Sequence, residues 1–265
     1  MTEAVKKLAR PVARKILGKR YDEFFGYHRC NVCGKRCLMK PLPSWFLYNL
    51  QVHGFRHNIF RFETQNLGYY SCSKCGANDR ERLYVLYLEK WLQHCGEGKL
   101  LDIAPADSLR KWLKMQPKIN YRSVDLVRTD VDDRVDITDM AGYGDNQFDF
   151  IICSHVLEHI PDDRKALGEL YRVLKPGGEA IIMVPLMQGL EKTAEGGNTA
   201  DEAFCWREYG QADHVRLYAK TDFLKRIEDA GFTINQLGGS YFDQAALKRF
   251  EILPSSVLYI GSKLR

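Results

Sequence analysis

Residues 148 to 163 read FDFIICSHVLEHIPDD, and this stretch determines the fold class. It opens with a short, nearly continuous apolar run, and the polar residues Ser154 and His155 follow. A run of this length is typical of a strand buried in a parallel sheet, and helical spacing resumes from Arg164. We therefore expect Ser154 and His155 at the carboxyl edge of such a sheet, where ligands bind in folds of this kind.

Short apolar runs alternate with helical stretches throughout the chain after Gly96. This alternation is the signature of βα units and predicts an α/β fold with a doubly wound, mostly parallel sheet. The predicted strands are 99–103, 121–124, 148–153, 179–184, 232–237 and 257–262, and the predicted helices are 164–174 and 222–230.

The 265 residues divide by composition and pattern into four predicted parts. They are a basic N-terminal segment (1–20), a loop-rich aromatic module (21–77), a connecting helix (78–95) and the large α/β domain (96–265). Asn78 or Asp79 is placed to cap the connecting helix. Residues 186–220 of the large domain are predicted to form a lid insertion, because a long aromatic segment can exclude water and shape a ligand pocket.

Two C-x2-C pairs lie in the small module, Cys30 with Cys33 and Cys72 with Cys75, and a glycine follows each pair. Two residues between thiolates allow one turn to present both sulfurs to one ion, and glycine lets the backbone curl there. Two such turns complete a closed tetrahedral shell, which predicts a structural zinc ion rather than a catalytic one. Cys37 is near enough along the chain to compete as a ligand, and free or redox-active thiols are the alternative.

The charge is divided along the chain. The net charge is +5, with 17 lysines and arginines against 7 acids in residues 1–95 and 22 against 27 in residues 96–265. Residues 1–20 alone carry +6, so this segment is either solvated or in contact with an anionic surface, lipid head groups or nucleic acid. Four thiolates bound to zinc would leave the module nearly neutral, and the α/β part is acidic, so the rest of the chain disfavours a nucleic-acid partner.

No apolar run reaches the ~20 residues of a transmembrane segment, and the basic N-terminus is not followed by the apolar stretch of a secretory signal. We therefore expect a cytoplasmic protein that is at most peripheral at the membrane.

Acidic side chains follow the ends of successive predicted strands. Asp102 ends the first strand, Asp125 ends the second 23 residues later, and Asp136 with Ile137 comes next. The spacing suits an acid that hydrogen-bonds ribose hydroxyls, and Asp136 and Ile137 can meet an adenine amine and ring. We predict that the three carboxylates converge on one ligand, while each alone is also typical of a helix cap.

These motifs together resemble a class I S-adenosylmethionine-dependent methyltransferase of the type 11 group. The resemblance rests on LLDIAPADSL (100–109), YRSVDL (121–126), VDITDM (135–140), FDFIICSHVLEHIPDD (148–163) and ELYRVLKPGG (169–178). With CSKCGANDRERL (72–83) before them and DHVRLY (213–218) after them, they are similar to a bacterial subgroup that pairs a cysteine module with this fold. The resemblance implies S-adenosylmethionine as the cofactor, bound by Asp102, Ala104, Asp125, Leu126, Asp136, Ile137, Ser154 and His155.

The loop after the first strand departs from the family pattern. Most such enzymes have a glycine-rich loop there, since glycine lets the backbone approach the cofactor, whereas this chain has Ala104, Pro105 and Ala106. We interpret this as a variant loop, and a decayed, non-binding site is the alternative.

Histidines supply the candidates for a general base. His214 in DHVRLY is the first, because imidazole titrates near neutral pH and can take a proton from an acceptor hydroxyl, and His155 is the second. The alternatives are a structural pairing of Asp213 with Arg216 and a purely structural role for His155 and His159.

The resemblance implies an enzyme that transfers a methyl group to an acceptor. The aromatic lid and the nearly neutral module favour O-methylation of a saccharide or another hydroxyl-bearing small molecule. An rRNA or tRNA base methyltransferase is the first alternative, because certain rRNA guanine methyltransferases also place a zinc module before this fold. A zinc-stabilised, non-catalytic binding protein is the second.

Overall fold

The computed structural model describes residues 28 to 265. The predicted basic segment 1–20 and the first residues of the module, 21–27, lie outside the described residues. Among the residues described, no helix combines the length and the apolar character needed to cross a bilayer.

The small module contains short elements joined by loops, as its lack of a clear hydrophobic period predicts. Its elements are β1 (His28–Arg29), β2 (Arg36–Cys37), β3 (Met39–Lys40), α1 (Ser44–Val52), a 3-10 turn (Ile59–Arg61) and β4 (Ser71–Cys72). The strands form two antiparallel pairs, β1 with β2 and β3 with β4, and each pair is adjacent to one of the C-x2-C turns.

The connecting helix α2 (Asp79–His94) follows, and the large domain then alternates strands and helices. Its elements are β5 (Gly98–Ile103), α3 (Asp107–Lys114), β6 (Ile119–Asp125), β7 (Asp133–Arg134), β8 (Phe148–Ser154), a 3-10 turn (Leu157–His159), α4 (Asp163–Val173), β9 (Leu174–Met183), β10 (Ala194–Glu195), α5 (Glu202–Tyr209), β11 (Arg216–Leu217), α6 (Lys220–Asp229), β12 (Thr233–Leu237), α7 (Gln244–Arg249) and β13 (Leu258–Ser262).

Seven strands form the central sheet in the order β12-β13-β9-β8-β5-β6-β7. All neighbours from β9 to β7 are parallel, and β13 is antiparallel to both β9 and β12. This topology confirms the predicted doubly wound, mostly parallel α/β fold. The strand order reverses between β5 and β8, and ligands bind at such a reversal in doubly wound sheets.

The predicted strands and helices are present, with one larger difference at β9. That strand begins at Leu174 rather than at residue 179, because Leu174 pairs with Phe148 while Glu179 pairs with Phe150. The extra residues between these pairs, which include the Pro-Gly-Gly turn, are accommodated as a β-bulge. Sequence reasoning placed this turn before the strand because proline and glycine usually end regular structure.

Helix α2 joins the two parts of the molecule through both apolar and polar contacts. The Asn78 side chain accepts a hydrogen bond from the Glu81 backbone N–H and caps the helix, as predicted. Trp91 packs on Phe150 of the central sheet with ring centroids 4.8 Å apart.

Arg82 of α2 is fully buried, and it donates hydrogen bonds to five backbone carbonyls. These belong to Tyr69, Tyr70, Ala77, Phe250 and Glu251, at 2.6, 3.2, 2.9, 2.8 and 3.3 Å. The small module is therefore tied through one guanidinium to the segment before β13.

Candidate functional site

The four predicted zinc ligands form one cluster in the small module. Their sulfur atoms all lie within 4.8 Å of one another, with 3.8 Å between Cys30 and Cys75 and 4.0 Å between Cys33 and Cys72. Sulfurs bound at ~2.3 Å to a tetrahedral ion are ~3.8 Å apart, so the arrangement fits a zinc ion closely. Cys37 is buried but does not belong to this group.

Each cysteine pair sits in a tight turn closed by glycine. Gly34 and Gly76 have φ values of +69° and +83°, and their N–H groups donate to the carbonyls of Cys30 and Cys72. A side chain at either position would strain this left-handed backbone. The Lys74 N–H also points at the Cys72 sulfur, 3.3 Å away, which is the amide approach that stabilises a thiolate.

The two strands beside the reversal of strand order end in the same unusual backbone conformation. Ala104 follows β5 with a φ of +48°, and His155 follows β8 with a φ of +57°. Left-handed geometry costs a non-glycine residue about 1 to 2 kcal/mol, and such strain concentrates at functional sites. Ala104 thus occupies the conformation that glycine adopts without strain.

A small cavity lies at this edge between β5, β8 and the first turns of α2. It is lined by Asn78, Arg80, Glu81, Tyr84, Asp102, Ile103, Ala104, Ala106, Leu109, Ile152, Ser154 and His155. The Ser154 hydroxyl is 2.7 Å from the Tyr84 hydroxyl, and Glu81 hydrogen-bonds Ser108 at the start of α3. The connecting helix therefore supplies one wall of the predicted cofactor site.

Asp102 is buried in this small cavity, and its carboxylate accepts a hydrogen bond from Tyr121, 2.8 Å away. Burial raises its pKa to about 7, and the Tyr121 hydrogen bond acts in the opposite direction. The residue can therefore exchange a proton near neutral pH.

The other predicted acids stand at the same sheet edge but are more exposed. The register pairs Asp125 with Arg134, and the Val135 N–H donates to the Asp125 carbonyl, which brings Asp136 next to the end of β6. One Asp125 oxygen accepts from two backbone N–H groups, those of Val127 and Arg128. The Asp136 carboxylate binds Thr138, whose hydrogen bonds lower the Asp136 pKa.

The apolar residues predicted beside these acids differ in exposure. Leu126 is 54% exposed, whereas Ile137 is 4% exposed and packs in the core. Leu126 is thus the better placed of the two to contact a ring at the surface of this edge.

A larger cavity of about 330 Å³ adjoins the small one, and Arg80 and His155 line both. Its wall comes from the small module, from the end of β9 and from the segment before β11. The lining includes Leu42, Trp45, Phe46, Phe62, Glu63, Gln65, Tyr70, Glu158, His159, Met183, Tyr209, Gln211, His214 and Tyr259. A cavity of this size suits a small organic ligand.

Glu158, His159 and His214 converge at one side of the larger cavity. One ligand atom from each lies within 4.8 Å of the other two, and the two imidazole rings are 4.7 Å apart. Burial raises the pKa of Glu158 to about 8 and lowers that of His214 to about 3. His155 lies beside them, and burial together with the Arg80 guanidinium holds its pKa well below the usual value.

The pairing of Asp213 with Arg216, the alternative to a base role for His214, is not formed. Asp213 is 3.2 Å from His159, whereas Arg216 contacts Glu195 and the carbonyls of Leu157 and Pro161. The reason is that Arg216 lies in β11 with its side chain turned inward, 5% exposed, under the 3-10 turn.

Only part of the predicted lid segment reaches the larger cavity, namely Leu186, Tyr209, Gly210, Gln211 and His214. Trp206 packs instead on Phe46 and His53 of the small module. Tyr218 is 1% exposed and donates to Asp163 at 2.5 Å, so it has a structural role.

The sequence analysis did not single out Arg80, Glu63 or Glu158. Glu158 lies in the 3-10 turn before α4 and is 1% exposed. A signal for it was present, since Glu158 is three residues after His155, a spacing that brings two side chains together on one helical turn, and its carboxylate lies 3.1 Å from His155 Nδ1. Arg80 carried no comparable signal, because its role depends on where α2 packs.

A family model described as a methyltransferase domain matches residues 84 to 237. A 104-residue alignment is 34% identical to the ubiquinone/menaquinone biosynthesis C-methyltransferase UbiE of Escherichia fergusonii, and covers 34% of this chain and 41% of that protein. The UbiE protein of Shigella boydii serotype 18 gives the same values. The chain thus spans about two fifths of the length of these curated relatives.

Two solved structures illustrate the similarity in three dimensions. The YcgJ protein of Bacillus subtilis matches with a TM-score of 0.44 and 16% identity, over 68% of this chain and 98% of that one. The [4+2]-cyclase SpnF matches with a TM-score of 0.49 and 16% identity, over 86% of this chain and all of that one.

Proposed function

The chain belongs to the family of S-adenosylmethionine-dependent methyltransferases, and we propose that it methylates a hydroxyl oxygen of a saccharide or another small hydroxyl-bearing metabolite. The observation that carries this proposal is the pair of adjoining cavities. One lies at the reversal of strand order, where the family's methyl donor is expected, and the other is lined by aromatic and polar side chains.

The residues at the sheet edge fit the donor. The small cavity offers Asp102 and Ser154 as polar partners, and the neighbouring surface offers Asp125, Asp136 and Leu126. Carboxylates can accept hydrogen bonds from the ribose hydroxyls and the amino groups of a nucleoside-bearing cation. We assign Asp102, Ala104, Asp125, Leu126, Asp136, Ile137, Ser154 and His155 to donor binding.

The larger cavity fits a hydroxyl-bearing acceptor. Trp45 lines it while 60% exposed, so its ring can pack against the apolar face of a sugar at the entrance. Glu63, Gln65 and Gln211 supply hydrogen-bonding groups further along the wall. A mixed aromatic and polar lining of this kind selects a ligand with many hydroxyl groups over a purely apolar one.

The reaction needs alignment more than activation. The acceptor oxygen forms a bond to the methyl carbon while the carbon–sulfur bond breaks and its electron pair passes to sulfur. Holding donor and acceptor ~3 to 3.5 Å apart supplies much of the acceleration. We assign His214 to take the hydroxyl proton, because burial keeps its imidazole neutral and its Nδ1 has no hydrogen-bond partner among the described residues, and His155 is the second candidate.

The test is an acceptor screen with a labelled methyl donor, in which glycans, small phenols and RNA are compared in one assay. We expect label in a base-stable methyl ether on a glycan or phenol. Labelled RNA bases would establish the nucleic-acid alternative and overturn the proposal. His214→Gln should lower the rate at least tenfold, while His94→Gln, at the exposed end of α2, should not.

A calorimetric titration with S-adenosylmethionine separates the enzyme from a non-catalytic binding protein. Heat and a thermal shift are expected in the wild-type chain, and Asp125→Ala should weaken both. Neither heat nor a thermal shift at millimolar donor would show that the site has decayed, and the proposal would then fail.

We also assign a structural zinc ion to Cys30, Cys33, Cys72 and Cys75, because four sulfurs at these distances satisfy a closed tetrahedral shell. Cobalt substitution tests this, since thiolate ligation gives intense near-ultraviolet charge-transfer bands. Cys72→Ser should reduce these bands and the thermal stability, while Cys95→Ser, outside the cluster, should change neither.

The basic segment 1–20 is assigned to contact with an anionic membrane surface, on the strength of its +6 charge. Sedimentation with phosphatidylcholine vesicles that contain 30% phosphatidylserine tests this. We expect salt-sensitive binding that a chain starting at residue 21 lacks, and equal binding of both chains would contradict it.

A further inference from the structure

We propose that Glu158, His159 and His214 bind a first-row divalent cation at the side of the larger cavity. The three residues come from two places in the fold, the 3-10 turn after β8 and the loop before β11. They offer one carboxylate and two imidazole groups, a donor set that binds zinc, manganese, iron or cobalt and leaves coordination positions open.

The strongest observation concerns two of the three residues, Glu158 and His214. Both Glu158 carboxylate oxygens and His214 Nδ1 are buried without a hydrogen-bond partner among the described residues. Most buried polar side-chain atoms in proteins are hydrogen-bonded, and each exception costs about 1 to 3 kcal/mol. Three such atoms at one place therefore point to a missing positive partner.

The groups around Glu158 do not supply that partner. His155 Nδ1 comes within 3.1 Å of one Glu158 oxygen, but not in hydrogen-bonding geometry. Arg80 directs its guanidinium at His155, and Arg216 directs its own at backbone carbonyls and Glu195. Neither arginine hydrogen-bonds the Glu158 carboxylate, although the positive charge of each acts on it.

The histidines are oriented as ligands usually are. His159 Nδ1 lies 3.2 Å from both the backbone carbonyl and the carboxylate of Asp213, so its Nε2 carries the free lone pair. His214 has a backbone hydrogen bond with Tyr209, and its Nδ1 is left free. In metal-bound histidines, the ring nitrogen that does not bind the metal usually donates a hydrogen bond to an oxygen atom, and this bond fixes the tautomer.

The separation of the donor atoms requires only a modest closure. Ligands at ~2.1 Å from one ion lie ~3 to 3.4 Å apart, and the three atoms here lie within 4.8 Å. Rotation of the His159 side chain, which is 29% exposed, can shorten the distance without moving the buried pair.

The chemical role of the cation rests on the proposed function, whereas its binding does not. In the cation-loaded protein, an acceptor hydroxyl bound at an open position would lose its proton to water more easily, and His214 would act as a ligand rather than as a base. Acceptors with two neighbouring oxygens can occupy two open positions and should be preferred.

The test uses the full chain with its cysteine cluster filled with zinc, titrated with Co²⁺. We expect one further Co²⁺ per chain, with visible d–d bands and no thiolate charge transfer. Glu158→Gln and His214→Gln should each weaken this binding at least tenfold. His94→Gln is the matched control, because it removes an exposed imidazole at the end of α2. Its affinity for Co²⁺ should equal that of the wild type.

Two results would overturn the site: no Co²⁺ bound beyond the cysteine cluster, or binding that both substitutions leave unchanged. Unfolding is checked by the zinc content of the cysteine cluster, and His159→Gln, at a part-exposed position, provides a variant with less risk to folding. The titration uses neither methyl donor nor acceptor. Its failure is therefore distinguishable from a failure of methyl transfer, and cobalt binding without transfer would refute only the proposed function.

Discussion

The Arg80 guanidinium reaches across from α2 to the end of β8, where one nitrogen lies 2.9 Å from Nδ1 and 2.6 Å from Nε2 of His155. Both residues line both cavities, so their contact forms part of the partition between them. In the proposed reaction, the methyl group crosses this partition from the donor cavity to the acceptor cavity. The connecting helix of the small module therefore takes part in the site and does not merely link two domains.

Replacement of Arg80 by alanine should affect turnover more than donor binding. His155 would lose the contact that holds it at the junction, and a misplacement of ~1 Å can cost about 100-fold in rate. We expect kcat to fall 10- to 100-fold while the Kd for S-adenosylmethionine changes less than about threefold. Steady-state kinetics measure kcat and calorimetry measures the Kd. An equal loss in turnover and in donor affinity would contradict a role of Arg80 at the partition.

Asp102 should make the stability depend on pH. Its pKa is about 7 in the folded state and about 3.8 in the unfolded state, so the folded chain binds the proton more tightly. The stabilisation that results from this tighter proton binding is complete below pH 3.8 and is lost as the pH rises through 7. Between pH 5 and pH 8 the loss is about 3 kcal/mol, and Asp102→Asn should abolish it.

Urea unfolding at pH 5 and pH 8 measures this difference. Tyr121→Phe serves as the companion variant, because the Tyr121 hydroxyl favours the ionised carboxylate and its removal should move the transition to higher pH. If the free energy of unfolding of Asp102→Asn changed with pH as much as that of the wild type, Asp102 would not be the source of the pH dependence.

Ala104→Gly should stabilise the protein. The left-handed backbone costs alanine about 1 to 2 kcal/mol, and glycine relieves this strain. Glycine also has more conformational entropy in the unfolded state, which offsets about 0.5 to 1 kcal/mol of the gain. The expected gain in the free energy of unfolding is about 0 to 1.5 kcal/mol. Ala245→Gly in α7 is the control of opposite sign, and equal destabilisation by both would show that Ala104 is unstrained.

Arg82→Lys should destabilise the fold by about 3 kcal/mol. A lysine has three donors in place of the five of a guanidinium, so at least two buried carbonyls would lose their partners at about 1 to 3 kcal/mol each. Urea unfolding provides the measurement. Arg164→Lys at a half-exposed site should cost less than about 0.5 kcal/mol, and similar values for the two would refute a special role for Arg82.

The sequence by itself determined the parallel sheet, the strand ends and the cysteine turns. Apolar periodicity, the C-x2-C spacing and the Asn78 cap are properties of neighbouring residues, because they follow from the repeat of a strand, a turn or a helix. For the same reason the positions of Asp102, Asp125 and Asp136 at one sheet edge could be predicted from the strands that precede them.

Only the tertiary structure decided how α2 and the small module close the site. The burial of Arg82, the contact of Arg80 with His155, and the unpartnered oxygens of Glu158 depend on atoms up to about 170 residues apart. Loss of water and cavity shape are set by all the surrounding atoms together, and no local pattern in the chain encodes them. The missing glycine at Ala104 was visible in the sequence, but its left-handed backbone was not.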